Sequence, residues 1–177
     1  MDITEIILSQ HHDQRRAFAQ LDEIDPTDTA ALAAVWNRLQ VLLEVHAEAE
    51  ERFIYPVLLE LGKGPAELPG ASGDDDGPDE EVEDAIKDHN EIRDAVRATA
   101  EHEVGSEGWW AAVREAREAN DDHMGEEERD DLPDFRRTAD LQTRHDIAVR
   151  FLQFEGENAS GIRAVDKDPE QYVAENS

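Results

Sequence analysis

No cysteine occurs in the 177 residues, which excludes disulfides, zinc–thiolate sites, iron–sulfur clusters and thiol nucleophiles; any metal must be held by histidine and carboxylate. Basic residues are scarce, with 17 Lys and Arg against 45 Asp and Glu and a formal net charge of -28. Such a charge repels phosphate backbones and anionic lipid surfaces, so neither nucleic acid nor a membrane is expected as a partner. Long apolar runs are missing too: Ala30 to Trp36 is the longest stretch without a polar residue, far short of the roughly 20 residues of a membrane helix. The first residues are acidic and carry no basic segment followed by an apolar run, so no signal peptide is read there and the expected location is the cytoplasm.

What is present is enough for one helical domain, at 38% hydrophobic residues. Four segments carry the helical period, over residues 3–23, 27–60, 79–103 and 107–131, with start signals at Asp2, Asp25-Pro26, Pro78-Asp79-Glu80-Glu81 and Ser106. Gly, Pro and Asp crowd the stretch from Gly62 to Asp79, which reads as a loop between two helix pairs. The expected architecture is an all-α antiparallel four-helix bundle over residues 1–135, built from a repeat over 1–61 and 79–135 with loop 62–78. An extension over 136–177 completes the chain, with one amphipathic helix suggested by Leu141, His145, Ala148, Val149 and Leu152; after Gly156 it reads as irregular and is assigned no chemistry.

The repeat carries the chemistry. His46 is followed by Glu50 and Pro56, and His123 by Glu127 and Pro133, at the same offsets of four and ten residues. A further histidine lies 35 or 34 residues upstream, His11 in the first copy and His89 in the second. Trp36, Leu39, Leu43, His46, Glu50, Phe53 and Val57 step by threes and fours, as do Trp109, Val113, Ala116, Asn120, His123 and Glu127, which places both His/Glu pairs on bundle seams. Rotation by about 100° per residue puts His11 on the edge of the stripe formed by Ile3, Ile7, Gln14, Phe18 and Leu21, with His12 on the opposite side. His89 falls among Val82, Ala85, Ile92 and Val96.

A histidine and a glutamate four residues apart stack on one helix face, about 6 Å apart along the axis. From facing helices, His11, His46, Glu50, His89, His123 and Glu127 can therefore converge. Burying two unpaired carboxylates costs several kcal/mol each, so something cationic is expected between them. No Lys or Arg stands in the ligand layer, Arg93 at the edge of the third helix being nearest. Two metal ions bridged by the glutamates answer that need, and by spacing alone iron, manganese or zinc would serve. His102 and His145 read as structural residues, Trp109 and Trp110 as packing at the bundle end, and the acids from Asp121 to Asp131 other than Glu127 as a solvated face.

At these residues the chain resembles the hemerythrin-like family in its HHE cation-binding form, over residues 3 to 135: His11, His46, Glu50, then His89, His123, Glu127. The resemblance implies a non-heme di-iron centre with terminal imidazoles, Glu50 and Glu127 as bridges, and a small partner such as dioxygen, nitric oxide or peroxide. Oxygen-carrying members place a second histidine four residues after the third-helix histidine, where this chain has Arg93, and an aspartate where it has Glu128. Water, Glu51, Glu128 or His145 are the candidates to complete coordination. Three functions are expected. The first is a protein that binds, senses or buffers O2, NO or iron; the second a di-iron enzyme scavenging peroxide or nitric oxide; the third a metal-free acidic interaction bundle. Ferritin-like oxidases are set aside, because no histidine here has a glutamate three residues before it.

Overall fold

The computed structural model describes residues 1–62 and 77–177, so most of the loop expected over Gly62 to Asp79 lies outside the described residues. Four long helices form the bundle: α1 (Ile3–Glu23), α2 (Thr29–Phe53), α4 (Pro78–Thr99) and α5 (Glu107–Glu126). Short α3 (Tyr55–Gly62) continues α2, and a π-helical turn (Glu127–Asp131) links α5 to α6 (Leu132–Thr138). The C-terminal part adds α7 (Leu141–Glu157) and α8 (Pro169–Asn176). In the bundle α1 packs on α2 and α5, and α4 packs on α5 and α2; α7 lies against α1 and α2, and α8 against α4 and α3.

Local chemistry explains the helix starts. Asp2 accepts from the Thr4 N–H, and the Ser106 hydroxyl accepts from the Trp109 N–H, both side chains satisfying amides that a first turn leaves free. Asp25 does not cap α2 as expected; its carboxylate closes a turn on Thr27, and Asp28 caps the helix through the Ala31 N–H. Gly105, at φ 82° in the α4–α5 connection, sits where a Cβ would come within 3.1 Å of the Pro26 carbonyl oxygen, so the turn needs glycine to pack against the α1–α2 connection.

Near each copy of the repeated proline the regular α-helix expected over 27–60 and 107–131 is interrupted, at Ile54 and over Glu127–Asp131. Pro56 has no N–H for the Arg52 carbonyl, and the chain kinks at Ile54 (φ -103°, ψ -58°) before restarting. In the second copy the π turn accommodates Pro133: the Leu132 N–H reaches back five residues to the Glu127 carbonyl. Around this point Ile54, Tyr55, Leu58 and Leu59 are buried, whereas Phe53 and Val57, expected on the seam, are only half-buried.

The interior has two apolar clusters. One centres on Phe18, Leu21, Leu32, Trp36, Leu39, Trp109 and Val113, the other on Ile3, Ile7, Tyr55, Ile86, Phe135 and Phe151. Between them runs a buried polar layer of His11, Gln14, His46, Glu50, His89, Asn120, His123 and Glu127. The sequence order makes the layer: Ile7, His11, Phe18 on α1 and Ile86, His89, Ile92 on α4 each flank a histidine with apolar residues on the same face.

The extension departs from expectation. A helix forms over Leu141–Glu157 as the amphipathic pattern predicted, but residues read as irregular form α8, whose Tyr172 and Val173 join the apolar cluster that contains Tyr55.

Candidate metal centre

Six side chains predicted as ligands meet in the polar layer. His11, His46, Glu50 and Glu127 form one buried group, and Glu50, His89 and His123 a second, each with ligand atoms within 4.8 Å of one another. Four helices contribute: His11 from α1, His46 and Glu50 from α2, His89 from α4, His123 from α5; Glu127 opens the π turn. Glu50 faces both groups, its Oε1 lying 3.0 Å from His46 Nε2 and its Oε2 3.4 Å from His89 Nε2 and 4.0 Å from His123 Nε2. Glu127 does likewise through one oxygen, with Oε2 3.2 Å from His11 Nε2 and 3.9 Å from His123 Nε2. His12, His102 and His145 belong to neither group.

The histidines share one orientation. Every Nε2 points inward, and every Nδ1 faces an oxygen outside the two groups. His11 Nδ1 lies 3.0 Å from Glu128 Oε1, His46 Nδ1 2.7 Å from Gln10 Oε1, His89 Nδ1 2.8 Å from Glu51 Oε1 and His123 Nδ1 3.6 Å from Asp88 Oδ2. An acceptor at Nδ1 fixes the proton there and leaves the Nε2 lone pair directed at the centre, the tautomer a metal-binding imidazole needs. Sequence reasoning missed Gln10 and Asp88. Each directly precedes a ligand histidine in the chain but serves the histidine of a neighbouring helix, so adjacency was the only signal available.

The interior oxygens and nitrogens lack conventional partners. His11 Nε2, His46 Nε2, both oxygens of Glu50 and Glu127 Oε2 are buried without a hydrogen bond of proper geometry, despite their short separations. Native interiors rarely leave such atoms orphaned, and five from one ligand set point to a cation among them. The donor set of imidazole and carboxylate without thiolate fits iron, manganese or zinc.

The electrostatics register the same demand for positive charge. Burial favours the neutral acid at Glu50, yet His46 and His89 hold its carboxyl well below the usual range. Burial opposes charge on His123, but Asp88, Glu127 and Glu50 outweigh it and raise the pKa to about 9. His11 is raised by Glu127 and Glu50 against the same opposition from burial. Buried carboxylates thus draw protons onto His11 and His123 where no other cation compensates them.

Tyr55, next to Pro56, was not predicted. Its hydroxyl lies 3.4 Å from both His89 Nε2 and Glu127 Oε1, and its ring stacks on His89 with centroids 5.7 Å apart. Burial, reinforced by Glu127 and Glu50, raises its pKa well above the ordinary value, so the phenol stays protonated and can donate. Tyr55 stands four residues after Glu51, so the two side chains share the face turned toward His89.

Two suggested extra ligands are engaged elsewhere. Glu128 accepts from Arg15 at 2.6 Å and faces His11 Nδ1, while Glu51 accepts from Arg93 at 2.6 Å and faces His89 Nδ1. Both carboxylates therefore lie behind histidines, on the side away from the centre. His145 is half-buried on α7 and is not gathered with the ligand set. Arg93 is fully buried, and its charge goes to Glu51. A cavity of about 430 Å³ reaches His123 and Glu127 from outside; Glu81, Asp84, Asp88, Asp130, Asp131 and Asp134 are among the described residues that line it.

Among the described residues no helix is long and apolar enough to cross a membrane. Residues 2–135 match the family described as hemerythrin HHE cation binding domain. Comparison with curated proteins and with solved structures gave no match.

Proposed function

Because the chain belongs to the hemerythrin HHE cation-binding family, we propose that its polar layer is a non-heme di-iron centre that binds a small molecule, O2 or NO, for sensing or buffering. His11, His46, Glu50 and Glu127 would hold one ion, and His89 and His123 a second, with the two glutamates shared. The observation that carries this reading is the set of five buried, unpartnered ligand atoms facing one another inside the bundle. A metal-free interaction bundle would gain by filling the same positions with apolar residues.

Iron in this setting would supply redox chemistry and affinity for diatomic ligands. The chain's own residues do the rest. The four Nδ1 acceptors orient the imidazoles, the apolar clusters flank the layer on either side, and the Tyr55 hydroxyl offers a hydrogen bond beside His89 and Glu127.

The test is spectroscopic. Protein loaded with ferrous iron under nitrogen and then exposed to O2 or NO is expected to develop a new visible absorption band, absent in His46→Ala. An unchanged spectrum with both gases would overturn the proposal. The cavity that reaches His123 and Glu127 favours peroxide or NO turnover as a second reading; sustained consumption of either substrate by the iron-loaded protein, rather than a single binding event, would select it.

A further inference from the structure

The C-terminal segment lies outside the residues 2–135 matched to the family, yet it reaches the back of the candidate metal centre. Lys167 Nζ pairs with Glu51 Oε2, and lies 3.0 Å from Glu48 Oε2. Its backbone is bracketed by Asn90 on α4: the Lys167 N–H donates to Asn90 Oδ1 at 3.1 Å, and its carbonyl accepts from Asn90 Nδ2 at 2.7 Å. One residue earlier, Asp166 accepts two hydrogen bonds from the Arg97 guanidinium, both 2.7 Å. Five residues later, the Tyr172 hydroxyl donates to the backbone carbonyl of Glu51. The segment thus holds Glu51 by side chain and by main chain.

Glu51 in turn faces His89 Nδ1 at 2.8 Å and accepts from Arg93 at 2.6 Å. Its carboxylate is the only one behind a ligand histidine, among the described residues, that meets two cationic side chains: Glu128 behind His11 meets Arg15, and His46 has the neutral amide of Gln10. An acceptor behind an imidazole strengthens that ring as a donor, in proportion to the negative charge the acceptor can offer. Two cations on one carboxylate draw that charge away. The arrangement therefore weakens His89 relative to an uncompensated Glu51.

We propose that Lys167 is a positioning residue of the metal centre, acting through Glu51 to set the donor strength of His89, so that the C-terminal segment is part of the site. The proposal rests on the metal reading of the polar layer and specifies how one half of the centre is tuned. Glu51 is fixed as the partner of His89 and is kept from turning inward, and the ion beside His89 is held less tightly than the bare Glu51–His89 pair would hold it.

The test compares full-length variants with zinc as a redox-inert probe, titrated against a chelator, and with the midpoint potential of the iron-loaded protein. Glu51→Gln removes the charge behind His89 and is expected to weaken zinc binding by about 10- to 100-fold and raise the potential. Lys167→Met is expected to do the opposite, tightening zinc by roughly three- to tenfold and lowering the potential, because Glu51 regains its charge for His89. Lys167→Arg keeps the cation and should keep wild-type values. Lys167 is 28% exposed, so its replacements do not disturb the packed interior. If Lys167→Met loosens zinc, or leaves both affinity and potential unchanged, Lys167 is a structural tether only and the proposal fails while the metal reading stands. If the wild-type chain takes up no zinc and no iron, both fail together.

Discussion

Stripping metal from this protein should cost stability by an amount the polar layer makes calculable. Five buried ligand atoms have no hydrogen-bond partner: His11 Nε2, His46 Nε2, the two Glu50 oxygens and Glu127 Oε2. These atoms belong to four groups, and at about 1–3 kcal/mol for each buried group left unsatisfied the metal-free protein carries a penalty on the order of 4–12 kcal/mol, comparable with the whole stability of an ordinary domain. Protons on His11 and His123 relieve part of it. The gain seen on adding metal is set by mass action: free metal at about 100 times Kd stabilises by roughly 2.7 kcal/mol per site, or about 5 kcal/mol for two independent sites. For a chain of this length about 1 kcal/mol moves Tm by roughly 2–4 °C, so Tm should rise by about 10–20 °C. Calorimetry with chelator, and again after metal is restored, measures this directly. Glu50→Gln, which alters the side chain common to both groups, should lose most of the rise. Equal Tm with chelator and with metal would refute the reasoning, since the orphaned atoms would then have some other compensation.

Tyr55→Phe should leave Tm nearly unchanged, because both hydroxyl contacts are long, but it should weaken azide or NO binding to the iron-loaded protein by roughly two- to tenfold, the worth of one neutral hydrogen bond; equal affinity would show that the hydroxyl does not face the ligand. Asp131, pushed up to about 8 by burial and by Glu127 and Glu81, keeps its proton in the folded state at pH values where the unfolded chain has lost it. Its ionisation therefore opposes folding: the penalty is absent below about 3.8, grows as pH rises, and is complete above about 8. Urea midpoints of the chelated Asp131→Asn variant should fall less between pH 5 and pH 9 than those of wild type, and parallel curves would contradict this.

The seams were legible because α1, α4 and α5 are regular through the polar layer, so a rotation of about 3.6 residues per turn carries Ile3 to Leu21, Val82 to Val96 and Trp109 to Glu127 to the interior. Legibility failed where proline acts. The sequence shows Pro56 and Pro133, but whether the chain answers with a kink or a π turn depends on what packs around it, and beyond the His/Glu pair the buried face passes to Ile54, Tyr55, Leu58 and Leu59 and leaves Phe53 and Val57 half-buried. The roles of Glu51 and Glu128 were hidden for a related reason. Each comes directly after a ligand glutamate, and only the positions of Arg93, Lys167 and Arg15 decide that they serve the Nδ1 side of a histidine. Lys167 could not be found from periodicity at all, because it sits between helices and is placed by Asn90 and by the Arg97–Asp166 pair.

Whether the polar layer exists to hold metal is tested most directly by elemental analysis of protein purified without added metal, after removal of loosely bound ions by gel filtration. Two equivalents of metal per chain, chiefly iron, with none retained by a His46→Ala, His123→Ala double variant that still folds, is the predicted result. A folded wild-type chain that retains no metal, and takes up none when ferrous iron is supplied, would contradict it.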